Sequence, residues 1–209
     1  MTGCLSLDGV GRVRDRDGVP ELSPDLLLSA YAEGWFPMCT EPGEIRWFSP
    51  DPRGILPIED FRVPHGLRRV LRTGRFEVRV NTAFDAVIEG CALRGETWID
   101  PVILAAYRRL HRLGFAHSVE AWSERGLAGG LYGVSLAGAF FGESMFHRET
   151  EASKVALHAL VARLRGRGFT LLDTQWTTPH LEQFGAVSIP RRTYLNRLRA
   201  ALACEATFG

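Results

Sequence analysis

Two short segments set polar chemistry inside apolar runs: Phe140-Phe141-Gly142-Glu143-Ser144-Met145-Phe146 and Leu171-Leu172-Asp173-Thr174-Gln175. An unpaired buried carboxylate costs several kcal/mol, so a strand gains nothing from one unless a site uses it. Residues two apart on a strand share a face, which projects Asp173 and Gln175 together, ~6.6 Å apart along the backbone. An amide beside a carboxylate can hold an attacking N–H while the carboxylate draws its charge. The same pair can also do no more than cap a neighbouring loop. Strict alternation puts Phe141, Glu143 and Met145 on one face and Phe140, Ser144 and Phe146 on the other. Gly142 marks a candidate bulge that would re-aim the residues after it. Glu143 then either joins a mostly apolar pocket or makes a rim salt bridge to an arginine.

The elements that must carry these residues are legible in outline. Ser23-Pro24 followed by an apolar run and Gly34 predicts a capped helix. Residues 35–52 hold four prolines among aromatics, which forbids long regular structure and suggests a seam after a small N-terminal unit. Pro64 to Arg72 predicts a short basic helix, with Leu67, Val70 and Leu71 inward and Arg68, Arg69 and Arg72 outward. Phe76 to Val80 alternates as a half-buried strand. Asp100-Pro101 opens a helix with Ile103, Tyr107 and Leu110 on one face and Gly114 as its stop. Segments 118–122, 130–136 and 139–146, joined by short turns, predict an antiparallel meander. A helix carrying Leu157, Leu160, Val161 and Leu164 follows, then the strand ending at Gln175, then a last helix over 191–202. Strands grouped in a meander under covering helices predict an α+β fold.

Bulk properties narrow the class. The chain has 209 residues and a net charge of +1, and no stretch is apolar enough to span a bilayer. Residues 1–25 are mixed and charged, unlike an export signal. Cys4, Cys39, Cys91 and Cys204 form no CxxC pair, which fits a reducing cytosol without a disulfide frame. The six histidines show no ligand spacing. Six arginines and one acid lie between Arg62 and Arg79, a run suited either to phosphates or to plain solvation. Trp35, Trp47 and Trp98 are candidate stacking platforms or core residues. Lys154, the single lysine, reads as a surface or ion-pair residue. Arg163 to Gly168 matches the R-x-x-G-x-G loop that holds coenzyme A pyrophosphate in acetyltransferases. Here it ends a helix, where the free backbone groups are carbonyls rather than N–H donors, so it reads as a helix stop.

Taken together, AYAEGWFPM (30–38), WFSPDPRGILP (47–57), AYRRLHRLGFAHSVEAW (106–122), GLYGVSLAGAFFGESMFHR (130–148), LLDTQ (171–175) and FGAVSIPRRTYLNRL (184–198) run in an order that resembles bacterial leucyl/phenylalanyl-tRNA–protein transferases over residues 23–200. The resemblance implies a small N-terminal domain (1–60) and an acetyltransferase-like (GNAT-type) catalytic domain (61–209), with a mixed, mostly antiparallel sheet covered by helices. It implies transfer of leucine or phenylalanine, with methionine a third candidate, from aminoacyl-tRNA to the N-terminal arginine or lysine of a protein, marking it for degradation. It implies no cofactor or metal, a cytoplasmic monomer and no membrane partner.

Carried over by residue, the resemblance makes Asp173 and Gln175 catalytic, with Asp173 polarising Gln175. It assigns Trp98 to stacking the terminal adenine. Tyr107, Phe140, Glu143, Met145 and Leu160 join it in substrate binding, Glu143 favouring a cationic acceptor. Arg68, Arg69 and Arg72 would grip tRNA phosphates. Met38 departs from the family's tryptophan, and Gly18 to Ser23 departs from its glycine-rich entry. Leu160 stands where an aromatic can line the pocket, and the C-terminus is short. An acetyl-CoA-dependent N-acetyltransferase and a non-catalytic RNA-binding protein remain as rival readings.

Overall fold

The computed structural model describes residues 4–5, 22–41, 44–93 and 97–209. The expectations that fall on residues 1–3 and 6–21, the departure at the glycine-rich entry among them, lie outside the described residues. In order the elements are β1 (Cys4–Leu5), α1 (Pro24–Ala32), β2 (Phe36–Glu41), β3 (Glu44–Phe48), β4 (Arg53–Ile55), α2 (His65–Thr73), β5 (Glu77–Val80), α3 (Phe84–Ala92) and α4 (Pro101–Arg112). They continue with β6 (Ala116–Ser123), β7 (Gly126–Leu136), β8 (Ala139–His147), α5 (Ala152–Gly166), β9 (Leu171–Gln175), α6 (Pro179–Glu182), β10 (Val187–Ile189) and α7 (Arg191–Leu202).

A seven-stranded sheet runs β10-β4-β9-β8-β7-β6-β5, and a smaller one runs β1-β3-β2. Every pair is antiparallel except β8 with β9, which is parallel. The α+β class and the mixed, mostly antiparallel sheet are as the sequence predicts. Neighbours along a strand, such as Phe140 and Phe141 or Leu171 and Leu172, enter different apolar clusters, so the clusters lie on opposite faces of the sheet. One holds buried residues of α1, α3, α4 and α7; the other holds those of α5 with Leu67 of α2.

Local rules set several boundaries. Ser23 accepts from the Leu26 N–H at 3.2 Å and Asp100 from the Ile103 N–H at 2.8 Å, each just before a helix-opening proline. The 163–168 run does end a helix: the N–H groups of Arg167 and Phe169 fold back onto the carbonyls of Arg163 and Leu164, and Gly168 takes φ +76°. Lys154 pairs with Glu151 at 2.6 Å.

Other elements differ from expectation. The proline-rich seam holds a short hairpin, β2 with β3, and Pro37 is tolerated because β2 is an outer strand. β5 is exposed at Glu77, Val78 and Arg79 rather than half-buried, since it closes one edge of the large sheet. Helix α3 has no local side-chain cap. The buried Glu120 carboxylate on β6 takes that role, accepting from the Thr82 N–H and hydroxyl and the Ala83 N–H. β4 sits inside the large sheet between β10 and β9, so residues 53–55 serve that sheet although they precede position 60.

Candidate functional site

β8 and β9 pair over three positions only, Ala139 with Leu171, Phe140 with Leu172 and Phe141 with Asp173. Beyond them the two strands part, and β9 continues against β4 through Gly54 and Gln175. A cleft of about 780 Å³ fills the gap. Its apolar side includes Leu131, Met145, Leu157, Leu160 and Leu172, while Glu143, Thr174 and Gln175 supply polar atoms.

The bulge expected at Gly142 is present. Tyr132 pairs with Ser144 and Gly133 with Gly142, which leaves Glu143 as the extra residue on β8. One consequence reverses the strict alternation. Met145 packs with the cluster of Phe140, whereas Phe146 packs with that of Phe141. The bulge therefore delivers both Glu143 and Met145 to the cleft.

Glu143 is almost fully buried. Its Oε1 accepts from the Tyr31 hydroxyl at 2.7 Å and from Gln175 Nε2 at 3.3 Å, and its Oε2 accepts from the Tyr107 hydroxyl at 3.2 Å. The hydroxyls of Tyr31 and Tyr107 also touch each other. Burial pushes the Glu143 carboxyl up to about 8, with the Asp173 charge adding to it, against the pull of its two tyrosine donors and Arg53. Burial likewise raises the phenols of Tyr31 and Tyr107 well above their ordinary value, Glu143 being the next cause for both.

Asp173 stands apart from the cleft. It has 0% exposure and faces Arg53, which is equally buried. Arg53 Nε donates to Oδ1 at 3.0 Å and Nη2 to Oδ2 at 2.6 Å. The Tyr194 hydroxyl donates to Oδ2 at 2.7 Å, and the backbone N–H of Gln175 to Oδ1 at 2.8 Å. Arg53 also donates to the Gly34 carbonyl at 3.0 Å and lies between the rings of Phe36 and Tyr194. Burial alone would lower the Arg53 pKa; the Asp173 carboxylate more than offsets this and raises it. Asp173 and Gln175 adjoin each other, but Gln175 lines the cleft and Asp173 does not. The contact between them, however, runs to the backbone of Gln175, while the Gln175 amide touches Glu143.

Gln175 itself has φ +58° and is the centre of a three-residue turn closed by the Trp176 N–H and the Thr174 carbonyl at 2.6 Å. Gly54 lies so close that an added Cβ would come within 2.4 Å of the Trp176 carbonyl carbon. Only glycine lets β4 pass here.

Of the other expected residues, Trp98 lines the cleft near Phe36 and Met38, and Met145 and Leu160 line it as well. Phe140 does not. It is fully buried behind the wall, stacked on Phe208 at 5.2 Å. Tyr107 is also fully buried and reaches the cleft only through Glu143. Arg68, Arg69 and Arg72 are exposed on α2; Arg68 and Arg72 line a second cleft with Arg62, His65 and His158, and Arg69 lies outside it.

Residues that carry no signal in the sequence include Arg53, Tyr31 and Tyr194, which meet their side-chain partners from 21 to 141 positions away. Three cleft residues carry buried polar atoms without a partner among the described residues: the Tyr132 hydroxyl, Thr174 Oγ1 and His180 Nε2. Such atoms are costly unless a ligand satisfies them. Among the described residues, no group of three or more His, Cys, Asp and Glu is placed to hold a metal ion, and no helix is long and apolar enough to cross a membrane.

Residues 55–199 match the family model described as leucyl/phenylalanyl-tRNA protein transferase, and residues 20–51 match the model of that family's N-terminal domain. A relative from Akkermansia muciniphila, described as leucyl/phenylalanyl-tRNA–protein transferase, is 55% identical over 186 residues, spanning 87% of this chain and 96% of its own. One of the same description from Salinibacter ruber is 56% identical over 183 residues, spanning 87% and 81%. Among solved structures, L-PGS from Bacillus licheniformis is 11% identical over 86% of this chain and 70% of its own, with a TM-score of 0.44. An aminoglycoside N-acetyltransferase in complex with CoA is 16% identical over 63% and 89%, with a TM-score of 0.35. Likenesses this loose carry no weight for function.

Proposed function

The chain belongs to the leucyl/phenylalanyl-tRNA protein transferase family, and on that premise we propose how its cleft moves an amino acid from tRNA to a protein. The observation that carries the reading is the parting of β8 and β9 around an apolar slot with Glu143 and Gln175 in contact beside it. Leucine or phenylalanine enters among Leu131, Met145, Leu157, Leu160 and Leu172. A pocket of this kind sorts by size and apolarity, at about 1–3 kcal/mol per methylene, so both side chains share it. Trp98 and Met38 offer a flat apolar wall to the terminal base. Arg68, Arg69 and Arg72 hold acceptor-stem phosphates without reading sequence.

An aminoacyl ester is already activated, and a free amine attacks it. Holding the two reactants together is worth roughly 7–11 kcal/mol when the geometry is right. The incoming α-amine has a pKa of about 8 and is mostly protonated at neutral pH. Burial holds the Glu143 carboxyl at about 8, matched to the amine, so once ionised it takes the proton at little cost in free energy. Gln175 gives its amide N–H to Glu143, which leaves its carbonyl oxygen to accept from the amine. The amine nitrogen then bonds to the ester carbon, and the bond to the ribose oxygen breaks. The nitrogen gives up one further proton and the ribose oxygen takes one. A cationic acceptor, an N-terminal arginine or lysine, favours the ionised form of Glu143 as it arrives and is preferred for that reason. The chain acts as a cytoplasmic monomer.

The test mixes labelled leucyl-tRNA with a peptide beginning in arginine. The expected product is that peptide extended by one leucine, with a peptide beginning in alanine left unlabelled. Binding of tRNA with no label passed on would refute the reading in favour of a non-catalytic binder. Modification supported by acetyl-CoA alone would favour an acetyltransferase.

A further inference from the structure

We propose that Arg53 and Tyr194 are positioning residues that act through Asp173 to hold Gln175 in its left-handed turn; this rests on the reading that Gln175 receives the attacking amine. The Asp173 carboxylate has four short contacts, two from Arg53, one from Tyr194 and one from the Gln175 backbone N–H. Those contacts occupy its lone-pair directions, and its side chain has no surface in the cleft. Nothing is left over for substrate or for the Gln175 side-chain amide. What Asp173 does reach is the backbone N–H of Gln175, the residue at the centre of the turn.

That turn needs holding. A left-handed φ costs a residue with a Cβ about 1–2 kcal/mol. Such strain persists where the surroundings over-determine it, and it gathers at working sites. Here Arg53 is gripped on every side: by Asp173, by the Gly34 carbonyl, by the Tyr194 hydroxyl at 3.3 Å, and by the rings of Phe36 and Tyr194. It ties the turn after α1, β2, β4, β9 and α7 to one point behind Gln175. Stability alone is a weak reason for such a cluster, since buried ion pairs are often replaceable by apolar groups without loss. Precise placement of the Gln175 amide against Glu143 is a better one.

The decisive comparison sets Asp173→Asn against the double variant Arg53→Gln/Asp173→Asn. The single variant strands a buried cation and is expected to lose thermal stability and kcat together. The double variant removes both charges and keeps an acceptor oxygen for the Gln175 N–H. It is expected to recover kcat to within about tenfold of wild type, with KM for leucyl-tRNA little changed. Tyr194→Phe, which deletes one hydroxyl, is expected to lower kcat at constant KM and to speed hydrogen exchange at the Gln175 amide. A double variant that regains its melting temperature but stays as inactive as the single one would overturn the proposal, because the charge on Asp173 would then be needed. Unchanged Gln175 exchange in Tyr194→Phe would overturn it too. The exchange measurement needs no turnover, so it separates this proposal from the transfer reading, which falls instead if the wild-type chain passes no leucine to the peptide.

Discussion

Replacing Glu143 by glutamine tests the buried acid directly. The carboxyl stands at about 8 in the folded chain against an ordinary 4.5, and burial is the main cause. Its native pKa is therefore raised above the unfolded one, so the folded state binds the extra proton between the two values. Stability from this group is full below the unfolded value and is lost as pH rises towards 8. Each unit inside that window withdraws a little over 1 kcal/mol, so the loss from about pH 5 to about pH 8 is on the order of 3–4 kcal/mol. Glutamine keeps the shape and an acceptor oxygen for Tyr31 or Tyr107 but cannot ionise. The unfolding free energies of Glu143→Gln and wild type, measured in urea at a series of pH values, are thus expected to diverge by that amount in favour of the variant. In melting temperature the gap grows by roughly 7–14 °C for a chain of this size. Titrating groups that do not couple to Glu143 cancel in the difference. A gap that stays flat with pH would mean that the ionised carboxylate lodges there at no cost, and the proton-handling role would fall with it.

The same geometry sets three other outcomes. Gly54→Ala drives a methyl into the Trp176 backbone and is expected to cost about 1–3 kcal/mol in chemical denaturation and to depress transfer, since the displaced segment carries Gln175. Reversing Arg68, Arg69 and Arg72 to glutamate is expected to weaken tRNA binding and flatten its dependence on salt, by about 0.9 in the log–log slope for each phosphate no longer neutralised; filter binding across a salt series reads both. Leu160→Ala enlarges the slot and is expected to shift relative kcat/KM from leucine towards phenylalanine by about tenfold or more, measured with the two aminoacyl-tRNAs in competition.

The sequence is most informative where structure is decided locally. Caps at Ser23 and Asp100, the stop at Gly168 and the meander all follow from neighbours within a few residues. The bulge at Gly142 is legible too, but its effect on Met145 is not, because one extra residue inverts every face after it. Helix α3 escapes a local reading since its cap comes from Glu120, on a strand far along the chain. Arg53 is hidden among prolines that argue against a strand, and its partners Asp173 and Tyr194 lie 120 and 141 positions away. The family resemblance names Asp173 and Gln175 together. It gives no hint that one faces an arginine while the other faces a glutamate.

The cleft is an unzipped seam in a hydrogen-bonded sheet rather than a gap between loops. Its length is fixed by the rung at which β8 and β9 stop pairing, and that rung is set by the register of the whole sheet. Insertions in surface turns would leave its dimensions untouched. New substrate ranges have to come from swapping side chains along α5 and β8, a few methylenes at a time, with the backbone frame kept constant.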